Sequence, residues 1–424
     1  MSAQRDQPRG GRGLKGAQMS DTAWPAFAGI DWGGEEHQLC VVDNAGKRLT
    51  QLRASHDVAG LAELQGALRR FGERMPIAIE RSEGLLVEHL QALGHAMFPV
   101  SPRISARARE RYKVASVKDD RFDAFVLADT LRHEHGHWRP LSTPSPLLAE
   151  IKALTRDRDR LLETQQAVES QLRMILEAYH PAPARLFSSI DRQITLSFVL
   201  DYPTPAIAGR VKTTRMAGFL SRHHYTGRVP AQVLADRMRA NLLTSSPGTV
   251  AGKSFSAQSF TRLLQLLNSQ LAEYDDAIAA ALAEHPDAHI FTSFPGVGPV
   301  TTGVLLAEIG EDRQRFPRPE VLLAEAGLAP VTRSSGRSHS VRFRYAANTR
   351  LRESAMWWAY NSMKESPWAA AAFRQARDQR GQRYHRALRG LSARWMRILW
   401  RCWTDGTTYD PDKHTSATAL TATA

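Results

Sequence analysis

Four carboxylates in this chain stand at spacings that suit metal-dependent phosphoryl transfer. Asp31 ends an apolar stretch in GIDWGG, and Glu80 ends a second one in IAIERSEG. Asp120 and Asp123 follow in KDDRFDA, three positions apart, so both fall on one face at the start of a helix. Strand-end acids and a helical acid pair can converge on one edge of a sheet. Four hard oxygen donors with room for water suit Mg²⁺ or Mn²⁺. Two such ions can stabilise both the attacking and the leaving oxygen of a phosphoryl transfer. Each acid alone has a plainer reading: Asp120 and Asp123 would equally cap the helix FDAFVLADTLR and favour its dipole. Only the four together, in this order of elements, put chemistry on a level with that reading.

Other stretches carry weaker signals. TRSSGRSHSVRFR is a Ser/Gly loop flanked by Arg333, Arg337, Arg342 and Arg344. A serine hydroxyl is a poor nucleophile unless a metal or base activates it, while arginines can stabilise charge developing on a phosphate. Taken by itself, the loop reads better as a solvated basic loop that touches phosphates. FPGVGPVTTGVLLAEIG resembles a helix-hairpin-helix turn, in which Gly296 and Gly298 let the backbone approach a phosphate and the next helix offers its first amides. An ordinary glycine turn is the alternative. PRISARARERYK places Arg103, Arg107, Arg109, Arg111 and Lys113 around Tyr112, with Lys118 just beyond. It reads as a track for a nucleic-acid backbone or as a solvated helix face. HEHGH at 133–137 matches a zinc-protease motif in form, but Gly136 and Pro140 end the helix that motif requires. Trp395, Trp400 and Trp403 read as core.

The elements that must position these residues fall into an α/β part and a helical part. From 25 to 142, strand-like runs (FAGIDWG, QLCVVD, KRLTQL, PIAIE, HAMFPV) alternate with helical ones (VAGLAELQGALRRFG, GLLVEHLQALG, FDAFVLADTLRHE), which predicts an α/β layer fold. From Pro144 a long run without Gly or Pro predicts an extended helix, matched by a second through SAQSFTRLLQLLNSQLAEYDDAIAAALAEHP. The two suit a coiled coil, antiparallel or between subunits, or buried bundle helices. A Pro-punctuated helical insert separates them, so 143–288 is expected to form a helical region. Residues 289–403 read as a compact, mainly α C-terminal domain, with tails at 1–24 and 404–424.

The 424 residues carry a formal net charge of +13, with 42% hydrophobic and 8% aromatic residues. A chain of this composition buries sizeable cores, and its basic balance points first to a polyanionic partner. No long apolar run or basic amphipathic anchor points to a membrane. Two cysteines, Cys40 and Cys402, argue against a disulfide scaffold and suit a reducing cytoplasm. The basic, Gly-rich first residues lack the apolar segment of a secretory signal.

Two enzyme classes share part of the acid pattern. DEDD exonucleases place a Glu two residues after their first Asp, where this chain has Gly33. Sugar-kinase-like ATPases need a second phosphate loop in a late α/β half, and the late chain here is helical. Taken together, GIDWGGEEHQLCVVD, IAIERSEG, SPRISARARERYKVASVKDDRFDA, FPGVGPVTTGVLLAEIG and AGLAPVTRSSGRSHSVRFRYAANTRLRES resemble the IS110-type transposases, in the family's own order and over most of residues 27–360. The resemblance implies an RNase H/RuvC-like N-terminal domain whose tetrad is Asp31, Glu80, Asp120 and Asp123. It also implies a catalytic serine, Ser335 before Gly336, with Ser334 as the one-residue alternative. It implies double-stranded DNA at element ends and target, a structured guide RNA, and a homo-oligomer (dimer or tetramer) as partners. Departures are local: Lys118-Asp119-Asp120 adds an acid, Glu80 lies one residue farther from its Gly, and Tyr345-Ala346-Ala347-Asn348-Thr349-Arg350 replaces the usual Lys-Gly-Asn. The expected reaction is strand cleavage and rejoining through a serine–phosphate link. A RuvC-like nuclease that uses water as nucleophile is the alternative.

Overall fold

A computed structural model of the chain describes residues 24–112, 119–335 and 338–413. It divides into two compact units, Met1–Thr143 and Pro144–Ala424, at the point where the sequence pattern changes.

In the first unit β1 (Ala26–Trp32), β2 (Glu36–Asp43) and β3 (Arg48–Ser55) form an antiparallel meander, followed by α1 (Val58–Arg69), β4 (Pro76–Ile79), α2 (Leu85–Ala92), β5 (Ala96–Pro99), α3 (Pro102–Glu110) and α4 (Asp120–Glu134). The sheet order is β3-β2-β1-β4-β5, with β4 parallel to both β1 and β5. Alternation of side chains along the strands makes both faces apolar. Ala28, Ile30, Leu39 and Val41 pack under Leu64 and Leu68 of α1 and Leu86 and Leu90 of α2. Phe27, Cys40 and Val42 pack on the other side with Ala124, Leu127 and Leu131 of α4. The result is a mixed five-stranded sheet between two helical layers, consistent with a RuvC-like domain. One glycine sets the spacing. A Cβ at Gly29 would lie 2.2 Å from the Ala124 carbonyl oxygen and 2.4 Å from the Ala128 nitrogen, so α4 crosses β1 where a side chain is absent.

The second unit is helical. α5 (Pro146–Tyr179) is followed by short helices α6 (Ala182–Leu186), α7 (Gln193–Asp201), α8 (Pro205–Ala208), α9 (Thr213–Arg222) and α10 (Ala231–Ala240), then by α11 (Pro247–Glu284). α5 and α11 lie against each other within the chain. Arg158 pairs with Asp275 and Gln165 with Asn268, so seven steps forward on one helix match seven steps back on the other, and the pair is antiparallel. Val168, Leu172 and Leu176 meet Ala257, Leu264 and Leu267 along the seam. The insert has its own core, centred on Phe198, Phe219, Leu234 and Met238.

The chain continues through α12 (Ala288–Thr292), α13 (Pro299–Ile309), α14 (Pro319–Glu325), a hairpin of β6 (Val331–Ser335) and β7 (Ser338–Arg342), α15 (Thr349–Glu365), α16 (Pro367–Arg374) and α17 (Tyr384–Asp405). One core runs across the boundary expected at 288. Leu148 and Ile151 of α5 and Ile278 of α11 pack with Leu305 and Ile309 of α13 and with Trp358, Trp395 and Trp403. The near ends of the long helices therefore belong to the C-terminal core, because their apolar faces are completed by α13. The tail expected from 404 also begins later: α17 reaches Asp405, and Tyr409 stacks on Phe294 at 4.8 Å. The tryptophans are core as expected, with indole N–H groups donating to Ser362 Oγ (Trp395), Phe316 O (Trp400) and Asp287 Oδ2 (Trp403). No helix among the described residues is long and apolar enough to cross a membrane.

Candidate metal centre and serine hairpin

Asp31 lies near the C-terminal end of β1, and Glu80 is the residue after β4. Ile30 is in register with Ile79 on these parallel neighbours, so the two acids leave the sheet side by side. Alternation along β1 sends Phe27, Gly29 and Asp31 toward the α4 side. The first turn of α4 supplies Asp120 and Asp123. It is Asp119, the extra acid, that caps this helix: its Oδ1 accepts from the Arg121 amide at 3.1 Å. That releases Asp120 and Asp123 from the capping role they could equally have filled.

Carboxylate oxygens of Asp31, Asp120 and Asp123 all lie within 4.8 Å of one another. Glu80 stands beside this group without being within that distance of all three. Its Oε1 accepts from Ser105 Oγ and lies 3.4 Å from Arg109 Nη2, while Arg109 Nε is 2.8 Å from Asp123 Oδ1. Together they border an open cleft of about 500 Å³. Burial raises the Asp31 carboxyl, and the charges of Asp123, Asp120 and Glu80 raise it further against the opposing pull of Arg109, to about 6. A cluster that resists its own ionisation in this way is short of positive charge. Hard oxygens at these separations fit a divalent cation, and the described side chains supply only Arg109 as a charge bonded into the group.

In the second unit β6 and β7 pair antiparallel, from Val331 with Arg342 to Ser335 with Ser338 at the tip. The backbone therefore carries Ser335 to the open end of the hairpin. Past the hairpin, the start of α15 is anchored by charge. Glu308, in the otherwise apolar α13, is only 6% exposed and accepts from Asn348 Nδ2 (2.7 Å), Arg350 Nη1 (2.9 Å) and Arg156 Nη2 (3.2 Å). Arg350 also reaches Asp159 of α5 at 2.7 Å. Burial pushes the Glu308 carboxyl up, but Asn348, Arg156 and Arg350 outweigh it and hold it below the usual range. Asn348 also caps α15 by accepting from the Leu351 amide, so one residue ties the end of the hairpin segment to the next helix.

Comparison with known proteins agrees with both halves. Residues 28–181 match a family model for DEDD transposases of the IS110 type, and residues 288–374 match the transposase IS116/IS110/IS902 family. The mini-circle transposase assigned to IS117 in Streptomyces coelicolor is 35% identical over 397 residues, covering 91% of this chain and 95% of that protein. The chain belongs to the IS110 family of transposases. More distant relatives include a 42 kDa protein of insertion element IS900 from Mycobacterium paratuberculosis, 28% identical over 93% of this chain and all of its own length. A 44.8 kDa protein of IS116 from Streptomyces clavuligerus is 27% identical over 93% of this chain and 98% of its own.

The transposase sorts its expected nucleic-acid residues into different classes. Arg103, Arg107 and Arg111 are exposed on α3, four residues apart and so on one face. Arg109 instead turns into the acidic cleft, beside Glu80 and Asp123. Ser105 and Arg109 share a second face, so the helical phase of PRISARARERYK already separated them from the other arginines. Arg344 is half-buried and donates to the Ala329 carbonyl at 3.4 Å, whereas Arg342 is exposed. Gly296 has φ +73, and a Cβ there would sit 2.5 Å from the Ser362 nitrogen; its amide donates to Glu365 Oε2 at 2.7 Å. Internal packing thus accounts for Gly296. Gly298 caps α13 with open space around it. Lys113, Lys118 and Arg337 lie outside the described residues, and at Arg333 and Ser335 the description is of backbone. Ser105 and Glu308 went unnoticed in the sequence, although a lone carboxylate in VLLAEIG was a legible sign of a buried partner. The histidines of HEHGH straddle the end of α4 and do not share a helix.

Proposed function

We propose that this transposase cuts and rejoins DNA by metal-assisted attack of Ser335 on a phosphodiester. The observation that carries the reading is the convergence of Asp31, Asp120 and Asp123, with Glu80 beside them, at the end of β1. These residues would hold Mg²⁺ or Mn²⁺, which supplies Lewis-acid stabilisation of the phosphate oxygens. Arg109 holds Asp123 and Glu80 in place, and Ser105 orients Glu80. The Ser335 hydroxyl gives up its proton as its Oγ–P bond forms and the P–O3′ bond breaks, and the departing 3′ oxygen takes up a proton. A 3′-hydroxyl of another strand then attacks the phosphoserine phosphorus and releases Ser335, so the number of phosphodiester bonds is conserved. The tetrad and the serine lie far apart in sequence, and we assign them to a composite site shared between subunits of a homo-oligomer. A structured guide RNA that pairs with donor and target DNA completes the proposal. The exposed Arg103, Arg107 and Arg111 and the net charge of +13 are suited to its phosphates.

Ser335→Ala tests the chemistry. Incubated with element-end DNA, RNA transcribed from the element's noncoding ends and Mg²⁺, the wild-type protein should form a covalent DNA adduct that survives denaturation, and Ser335→Ala should form none and release no cut strand. Cleavage retained by Ser335→Ala would make water the nucleophile. Full recombination by Asp31→Ala would remove the acids from the reaction.

A further inference from the structure

The solvent face of α15 carries a feature that neither the acids nor the serine hairpin uses. Trp357 is 61% exposed, and Tyr360, one turn on, is also exposed. The two rings stack, with centroids 5.6 Å apart and planes 28° apart. One further turn on, Lys364 places its Nζ 5.2 Å over the Tyr360 ring. A large exposed indole is unusual where helix spacing already supplies a buried one, and α15 does bury its neighbour Trp358 fully. The rings are therefore held in order by one another and by a cation, and it is Trp357 that stays most open to solvent.

We infer that Trp357 and Tyr360 form a stacking platform for unpaired bases of a nucleic-acid strand, with Lys364 beside it for the phosphate. The inference rests on the reading of the protein as one that handles nucleic acid, and adds a site of its own. Three observations favour this occupant over a second protein surface. Flat aromatic faces accept any base, and a neighbouring ammonium suits the backbone that links bases. Polar residues surround the pair: Glu353 one turn before, and Asn361, Lys364 and Glu365 after. Two rings in such a setting offer far less apolar area than the ~800 Å² per partner of a standard protein interface. The chain as a whole is also strongly basic, which draws polyanions to it. Glu353 and Glu365 set a limit on the charge: the platform relies on stacking, and Lys364 is the cation placed against it.

The test uses full-length protein without divalent metal, so that binding is read without cleavage. Fluorescence anisotropy with labelled single-stranded DNA, single-stranded RNA and a blunt DNA duplex gives three affinities. Trp357→Ala should weaken binding of a single strand about tenfold, and Trp357→Phe should recover most of it. The dependence on salt should stay unchanged, since no phosphate contact is removed, and the blunt duplex should bind as before. Comparing the DNA and RNA arms identifies which strand uses the platform. Equal single-strand affinity for wild type and Trp357→Ala overturns the inference, as does failure of the wild type to bind either strand. A shift in oligomer size by light scattering, with affinities intact, would reassign the face to subunit contact. Unchanged thermal melting of Trp357→Ala confirms that an exposed side chain was removed from a folded protein. Loss of the serine chemistry in Ser335→Ala would leave all of these affinities where they are.

Discussion

In the N-terminal unit the acids ride on elements fixed by packing: β1 is buried on both faces, and α4, buried over residues 123–131, crosses it at Gly29. In the C-terminal unit the serine hairpin has two strands, and the helix that follows it is pinned at its start by a buried carboxylate shared among Asn348, Arg350 and Arg156. The first arrangement sets positions through shape, which tolerates little change in volume. The second sets them through hydrogen bonds to one charge, which is directional and sensitive to the loss of a single partner. A metal centre that must hold several like charges close together gains from the first kind of rigidity. A nucleophile that must reach a strand and then let it go can sit on the second.

The comparison breaks most decisively at the level of the whole site. Ser335→Ala and Asp31→Ala proteins, each inactive alone, are expected to restore strand exchange when mixed, because some sites then combine an intact acid cluster with an intact serine. Measured on a two-plasmid or oligonucleotide substrate, activity should rise from background to a clear fraction of wild type. A mixture as dead as its components would place both halves in one chain.

Glu308→Ala comes next. It takes a carboxylate from Arg156 and one of two from Arg350, which keeps Asp159, so the loss should fall at the lower end of the range, about 3–5 kcal/mol, typical of breaking a buried ionic group. The carboxyl of Glu308 is held low in the folded protein, so its contribution is present above the unfolded carboxyl's pKa and is lost as pH falls through the depressed folded value. Chemical denaturation of the wild type should show that loss on acidification, and Glu308→Ala should be insensitive to that component. A variant as stable as wild type at neutral pH would remove the charge network from the account of this unit.

Gly29→Ala attacks the shape-based half. Its Cβ meets backbone of α4, which cannot swing away as a side chain could, and overpacking of this kind costs about 1–3 kcal/mol. Displacing α4 moves Asp120 and Asp123 relative to Asp31, so stabilisation by Mn²⁺ in a thermal melt should fall sharply although no acid has been altered. Undiminished stabilisation by Mn²⁺ would mean that the cluster does not depend on this crossing.

The smallest expected effect is on pH-dependent stability. Asp31 rises from 3.8 to about 6, so the folded protein binds its proton more tightly than the unfolded chain does. Without metal, stability should therefore fall as pH rises from about 4 to about 6, and the deficit should persist at neutral pH. Asp31→Asn, which resembles the protonated acid, should melt about a few degrees higher than wild type at pH 7 in chelator. The gap should close near pH 4 and reverse when Mn²⁺ is added. A lower melting temperature for Asp31→Asn in chelator would contradict the crowded-acid picture.

Much of the site was legible because its signals are local. An apolar strand ending in Asp31, another ending in Glu80, and an i, i+3 acid pair at a helix start each follow from residue order and period. The role of Asp119 as the cap was not legible, since any of three neighbouring acids could have filled it and the backbone angles decide. The division of labour among the α3 arginines was legible only in part: helical phase sets Arg109 apart from Arg103, Arg107 and Arg111, but which face meets the acidic cleft was decided by the fold.

The sequence by itself determined most element types, though not the β6–β7 hairpin, which reads as a loop, and with them the acids, the serine motif and, through the order of those motifs, the family. Periodicity, capping residues and net charge are properties of neighbours along the chain, and they survive without a fold. Only the tertiary structure decided which carboxylates meet within 4.8 Å, which arginine neutralises them, and that Glu308 anchors the start of α15. Those outcomes depend on contacts between residues tens of positions apart, Glu80 with Arg109 and Glu308 with Asn348, whose distances are set by how sheet and helices pack.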